Sequence, residues 1–326
     1  MALNRQLVSV SNLMKTLFNC VWLLIIGLNY TNGSTVWANQ PDARVVVLGV
    51  AQDAGYPQAG CFEEHCMPGW QDKTKRITPT SLALIDHVTK TRFLFEATPQ
   101  LPEQLYRLEK YAGAEQYSLN GVFLTHAHIG HYSGLMFFGH EAMGAKNVPV
   151  FVMPRMKQFL QQNGPWSQLV NYRNISLQDL ANNKTVNREA FQITPFLVPH
   201  RDEFSETVGY RIQGPEKSLV FIPDINKWQQ WEESLVDLVK SVDYAFLDAA
   251  FYADGELPGR DMSVIPHPFV SESMAILDEL PKSQKTKVWF IHMNHTNPLL
   301  HKNSREYKHV QQKGYNIAFE GLELKL

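Results

Sequence analysis

Three histidines carry the first chemical signal in this chain. Thr125-His126-Ala127-His128-Ile129-Gly130-His131-Tyr132 follows directly on the apolar run Gly121-Val122-Phe123-Leu124. That run reads as a buried strand, so the imidazoles fall where a strand ends and a helix begins. Alternation places His126 and His128 on one side of an extended backbone, within reach of one cation, while His131 leans toward a neighbouring position. Three ligands on one tight loop make a preorganised site. A surface cluster of histidines is the bland alternative, and the spacing at a strand exit favours the metal.

Further candidates stand at the ends of later strands. His200 follows the extended run Phe191 to Val198, Asp224 ends the run Ser218 to Ile222, and His292 follows Lys287 to Ile291. A catalytic zinc usually takes three protein ligands and keeps one position for water, a count that His126, His128 and His200 meet. A carboxylate shared between two cations offsets their repulsion and can hold them about 3.5–4 Å apart, a role open to Asp224. Its alternative is a helix cap. His267, in Ile265-Pro266-His267-Pro268, is the candidate for protonating a leaving group or touching substrate, or else packs between its prolines; Arg260 and Asp261 rank behind it. Glu96 is either an acceptor behind a ligand imidazole or a solvated strand end.

The elements that must position these residues alternate along the chain. Arg44 to Val50 reads as a buried strand, and Ser81 to Asp86 with Arg92 to Glu96 as a hairpin. Helices are predicted over 102–111, 132–143, 155–162, 228–239, 270–280 and 304–313, with strands at 149–153, 207–212 and 244–247. Residues 165–190 are polar and fit neither pattern, and 249–268 form a long loop of the kind that is usually functional or disordered. Strands and helices alternate through two similar halves, which predicts an α/β chain folded as a four-layer αβ/βα sandwich with its ligands at strand ends.

The histidine loop resembles the H-x-H-x-D-H signature of the metallo-β-lactamase-fold hydrolases, with Gly130 where that family carries aspartate. Leu48-Gly49-Val50-Ala51, Gly55-Tyr56-Pro57-Gln58, Cys61 and Phe290-Ile291-His292-Met293-Asn294-His295-Thr296-Asn297-Pro298 narrow the likeness to the PqqB-like branch, named for a pyrroloquinoline quinone (PQQ) biosynthesis protein. Cyclic phosphodiesterases of phosphonate metabolism and tRNA 3′-processing nucleases are more distant relatives. The resemblance runs from about Arg44 to the C-terminus. It implies a first metal held by His126, His128 and His200 and a second held by His131, Asp224 and His292. Without an aspartate at Gly130 the second is expected to be weaker and conditionally occupied. Zinc is the leading metal, with Fe or Mn also compatible with mixed N/O ligands. In the cyclic-phosphodiesterase branch, cysteines from the first loop and a late histidine hold a structural zinc. Here Cys61, Cys66 and His295 match, Glu63 takes the middle position and His65 is an alternative ligand. The spacing favours that structural zinc over a disulfide between the two thiols.

Composition bounds the rest. The 326 residues are 44% hydrophobic and 19% charged with a formal net charge of −2, long enough for a large core and without a basic field for nucleic acid. Lys15 and the apolar run Leu17 to Leu28, followed by Val36-Trp37-Ala38, read as a signal peptide over 1–38 cleaved after Ala38. Met14 is an alternative start, and the run is short for a membrane span. The expected product is a periplasmic domain over 39–326 with no stable membrane span, acting on a small molecule and compatible with a homodimer. The leading function is hydrolysis of a small ester, lactone or phosphodiester by a metal-activated hydroxide, with Asp224 orienting it. An oxidative enzyme related to PQQ biosynthesis and a non-catalytic carrier of a small redox cofactor are the alternatives.

Overall fold

A computed structural model describes residues 42–326. The expected signal peptide and its cleavage point lie outside the described residues. In chain order the strands are β1 (Ala43–Gly49), β2 (Ser81–Asp86), β3 (Thr91–Phe95), β4 (Ser118–Phe123), β5 (Val148–Val152), β6 (Ile175–Asp179), β7 (Val186–Asn187), β8 (Gln192–Leu197), β9 (Val208–Gln213), β10 (Ser218–Ile222), β11 (Tyr244–Asp248), β12 (Val288–Ile291), β13 (Asn316–Ile317) and β14 (Glu323–Lys325). They form two seven-stranded sheets, ordered β14-β1-β2-β3-β4-β5-β6 and β13-β12-β11-β10-β9-β8-β7. The C-terminal segment thus returns a strand to each sheet.

The apolar runs are continuous because both faces of each sheet are covered. Val45 and Val47 of β1 point into the core between the sheets, while Val46 and Leu48 point outward under helices. Phe93 and Phe95 of β3 divide from Leu94 in the same way. Between the sheets the core is aromatic. Phe123 stacks on Phe151 with centroids 4.3 Å apart, and Phe95 meets Tyr210 edge-on at 5.3 Å. The Tyr210 hydroxyl donates to the carbonyl of Leu124, so this core anchors the base of the histidine loop. Helices Leu101–Leu108 and Pro154–Gln162 cover the outer face of the first sheet through Leu101, Leu108, Met156 and Leu160. Leu238, Met274 and Val310, from helices Leu235–Lys240, Val270–Ile276 and Arg305–Gln312, pack on the second. The architecture is the four-layer sandwich read from the sequence.

Three local expectations are corrected. The helix predicted over 132–143 is a single α-turn, Ile129–Tyr132, followed by a 3-10 segment, Ser133–Phe138. The His131 carbonyl and Gly134 amide there bond the backbone of Ala97 rather than helical partners. The helix predicted over 228–239 is split into a 3-10 turn, Trp228–Gln230, and a helix from Leu235 whose cap is the Ser234 side chain. The polar stretch 165–190 holds helix Trp166–Asn171 and strands β6 and β7 at the sheet edges, where half-solvated positions blur the apolar period. Among the described residues no helix is long and apolar enough to cross a membrane.

Candidate metal centre

Strand direction brings the candidate ligands together. β10, β11 and β12 are parallel neighbours, so Asp224, Asp248 and His292 emerge from the same edge of one sheet. β8 is antiparallel to β9 and β9 to β10, so β8 runs with them and delivers His200 there. The loop after β4 brings His126, His128 and His131 from the facing sheet. Asn226 N–H donates to the Pro199 carbonyl at 2.7 Å and ties the His200 and Asp224 turns together.

Donor atoms around a tetrahedral zinc, each 2.0–2.1 Å from the ion, lie about 3.3 Å apart. His126 Nε2 is 2.8 Å from His128 Nδ1 and 3.3 Å from Asp224 Oδ2, and His200 Nε2 is 3.2 Å from Asp224 Oδ1. His131 Nε2 lies 3.6 Å from the same Asp224 Oδ2, so the carboxylate faces both imidazole groups. Both ring nitrogens of His131, His200 and His292 and Oδ1 of Asp224 are buried without a hydrogen-bond partner. Native interiors rarely leave so many polar atoms unpaired, and cations held among these side chains would engage the inward Nε2 of each ring together with the Asp224 oxygen. The residues therefore fit a metal.

Carboxylates behind the imidazoles set their orientation. Thr125 Oγ1 donates to Glu96 Oε1 at 2.6 Å and so accepts from His126 Nδ1 at 2.9 Å, which leaves the His126 Nε2 lone pair turned inward. Glu96, fully buried, also stands 3.4 Å from His131 Nδ1. This geometry resolves the two readings of Glu96 in favour of an acceptor behind the ligands. Glu203 accepts at 3.1 Å from His128 Nε2 at the solvent side. His267 Nδ1 lies 2.8 Å from Asp248 Oδ2 and 3.2 Å from Asp224 Oδ1. Asp248 also accepts from the amides of Ile225 and Ala250, which locks it in place.

Burial and the neighbouring His131 hold His126 well below the usual imidazole range, which keeps it neutral. Burial pushes His131 the same way, but Glu96 and Asp53 outweigh it and raise its pKa to about 9. Metal ligation requires that proton to leave. Three of the seven non-glycine residues with positive φ among those described, Asp53, Glu96 and His292 at 33°, 78° and 68°, stand at this cluster, in conformations that cost about 1–3 kcal/mol each.

Not every candidate joins the cluster. Arg260 and Asp261 are exposed, and Asp261 accepts from the amide and hydroxyl of Ser263 in its own turn. Cys61, His65, Cys66 and His295 do converge, their donor atoms all within 4.8 Å of one another. Glu63 is exposed and outside that group. The two sulfurs, however, are joined as a disulfide. This is the disulfide alternative read from the sequence, formed within the same donor group that the expected structural zinc would use. Asp53, Asp248 and Glu203 went unrecognised in the sequence. Asp248 at a strand tip was a readable signal; Asp53, in an irregular loop, left none.

The long loop after β11 is held through Glu256, which accepts from the Thr296 hydroxyl and the Tyr252 amide. Burial outweighs those bonds and pushes its pKa up from 4.5 to about 7. The folded state therefore binds a proton that the unfolded state has released, and stability falls as pH rises from about 4.5 to about 7, then levels. Urea midpoints measured from pH 5 to pH 8 should show this slope, and Glu256→Gln should flatten it.

Comparison with known proteins decides the family. A model described as the beta-lactamase superfamily domain matches residues 91–293, more than half of the chain. The chain belongs to the beta-lactamase superfamily. Among curated members it is 25% identical over 310 residues to coenzyme PQQ synthesis protein B of Xanthomonas oryzae pv. oryzae, covering 87% of this chain and 100% of the relative. It is 24% identical over 309 residues to the protein of that name from Methylobacterium sp. (strain 4-46), with the same coverage. Among solved structures, Zn(2+)-bound PqqB from Methylobacterium extorquens superposes with a TM-score of 0.72 at 22% identity, over 87% of this chain and 100% of that one. A diphosphatase of the PhnP family follows with a TM-score of 0.62 at 20% identity, over 87% and 97%. These superpositions establish the superfamily fold.

Proposed function

We propose that this superfamily member is an exported metal-dependent hydrolase acting on a small ester, lactone or phosphodiester. The observation that carries the reading is the convergence of His126, His128, His200 and Asp224 at ligand spacing around buried, unpaired nitrogen and oxygen atoms. A cation held there supplies Lewis acidity and lowers the pKa of water toward about 7, giving a nucleophile at neutral pH. Asp224, its oxygens shared between two imidazole groups, would help hold the cation and could accept a proton from the attacking water. His267, braced by Asp248, is placed to donate a proton to the leaving group. His128 and Glu203 line the solvent side, with side chains 15% and 47% exposed, so substrate approaches past them to a floor of His126, His131 and His292.

The disulfide supports export, since such bonds persist in oxidising compartments. A net charge of −2 supports a small-molecule substrate over nucleic acid. The test is turnover of bis-p-nitrophenyl phosphate and of a panel of lactones by protein reconstituted with zinc, manganese or iron. Activity that falls about 100-fold or more on chelation and in His128→Ala is expected; no turnover with any metal sinks the proposal. A second reading, an oxidative role related to PQQ biosynthesis, is favoured by full-length similarity to the PQQ synthesis proteins. Oxygen uptake by the iron-loaded protein in place of hydrolysis would select it.

A further inference from the structure

The family signature places an aspartate at position 130, where this chain has glycine, yet the space that side chain would fill is occupied. A β-carbon at Gly130 would lie 2.6 Å from Asp53 Oδ1 and 2.9 Å from Asp53 Cβ, and closer still to its Cα. Asp53 comes from a different segment, the loop after β1, in the left-handed region at φ 33°. Its Oδ1 lies 3.3 Å from His131 Nε2 and 3.8 Å from His292 Nε2, and is buried without a hydrogen-bond partner although the side chain is 47% exposed. The nitrogens it faces are likewise buried and unpaired.

We propose that Asp53 is a ligand of the second cation, replacing in space the carboxylate missing from position 130, so that the second site comprises Asp53, His131, His292 and the shared Asp224. The exchange is sterically reciprocal. Glycine at 130 is what lets the Asp53 backbone approach, and an aspartate at 130 would drive it out. The strained backbone of Asp53 has a physical reason under this assignment, since an αL-like aspartate aims its carboxylate back toward the cluster. The second site therefore has a full ligand set, in contrast to the weak site implied by the signature alone.

This inference rests on the metal-dependent reading of the proposed function, extended to the second cation that the signature implies, and its test is independent of turnover. Metal-stripped protein is titrated with zinc by calorimetry, with bound metal counted by mass spectrometry. Wild type should take two equivalents at the centre. Asp53→Asn should keep the first and bind the second at least about tenfold more weakly, since even groups that only support a ligand change affinity roughly 10–100-fold. Gly130→Asp should also lose the second equivalent, through the clash with Asp53. The swap Asp53→Gly with Gly130→Asp should regain it and guards against misfolding of the single variants. Two equivalents of native affinity in Asp53→Asn, a swap that fails to regain the second, or a wild type that binds only one would each overturn the assignment. Should all variants behave as expected while no substrate turns over, the ligand assignment stands and only the hydrolase reading falls.

Discussion

Asp224→Ala should strip the centre of both cations and abolish turnover. Asp224 is 3% exposed, and its two oxygens lie 3.2–3.6 Å from His126, His131, His200 and His267. Removing it leaves four imidazoles turned on one another with no shared counter-charge. Breaking a buried charge pair costs about 3–5 kcal/mol, which, if expressed wholly in metal binding, corresponds to roughly a 150- to 5,000-fold loss in affinity. Asp224→Asn keeps the shape and loses the charge, so it should resemble alanine in metal content but retain more of the wild-type melting temperature. Bound metal by mass spectrometry and thermal melts of the stripped proteins measure the two effects separately. An alanine variant that still holds two equivalents would mean that the cations, if bound, sit elsewhere.

The second large effect is expected at Glu96, which touches no cation. Glu96→Ala deprives the Thr125 hydroxyl of its acceptor and His131 Nδ1 of its carboxylate neighbour in a place with no access to water. Each unsatisfied buried group costs about 1–3 kcal/mol, so the stripped protein should lose several degrees of melting temperature. Metal affinity should fall roughly 10–100-fold as His126 and His131 lose their orientation. Glu96→Gln, which can still accept from Thr125, should recover most of the stability and only part of the affinity. Unchanged metal binding in Glu96→Ala would show that the ligand loop is held by its backbone alone.

The ligand residues were legible in the sequence to different degrees, for reasons that lie in the range of each signal. His126, His128 and His131 share one loop, so local spacing revealed their chemistry. His200, Asp224 and His292 could be recognised because each follows an apolar run, and chain direction through a parallel sheet carries such residues to a common edge. The helix expected over 132–143 failed for the converse reason: Ala97, distant in sequence, captures the hydrogen bonds that an α-helix there would need.

Residue types and their periodicity, which act within a few positions of one another, were enough to establish a covered-sheet sandwich and to place the metal-capable side chains at its strand ends. Tertiary structure alone decided that Asp53 fills the volume left at Gly130 and that Asp248 braces His267. Those outcomes depend on how closely separate loops approach, a matter of a few tenths of an ångström set by the packing of two sheets, and local sequence pattern carries no measure of that distance.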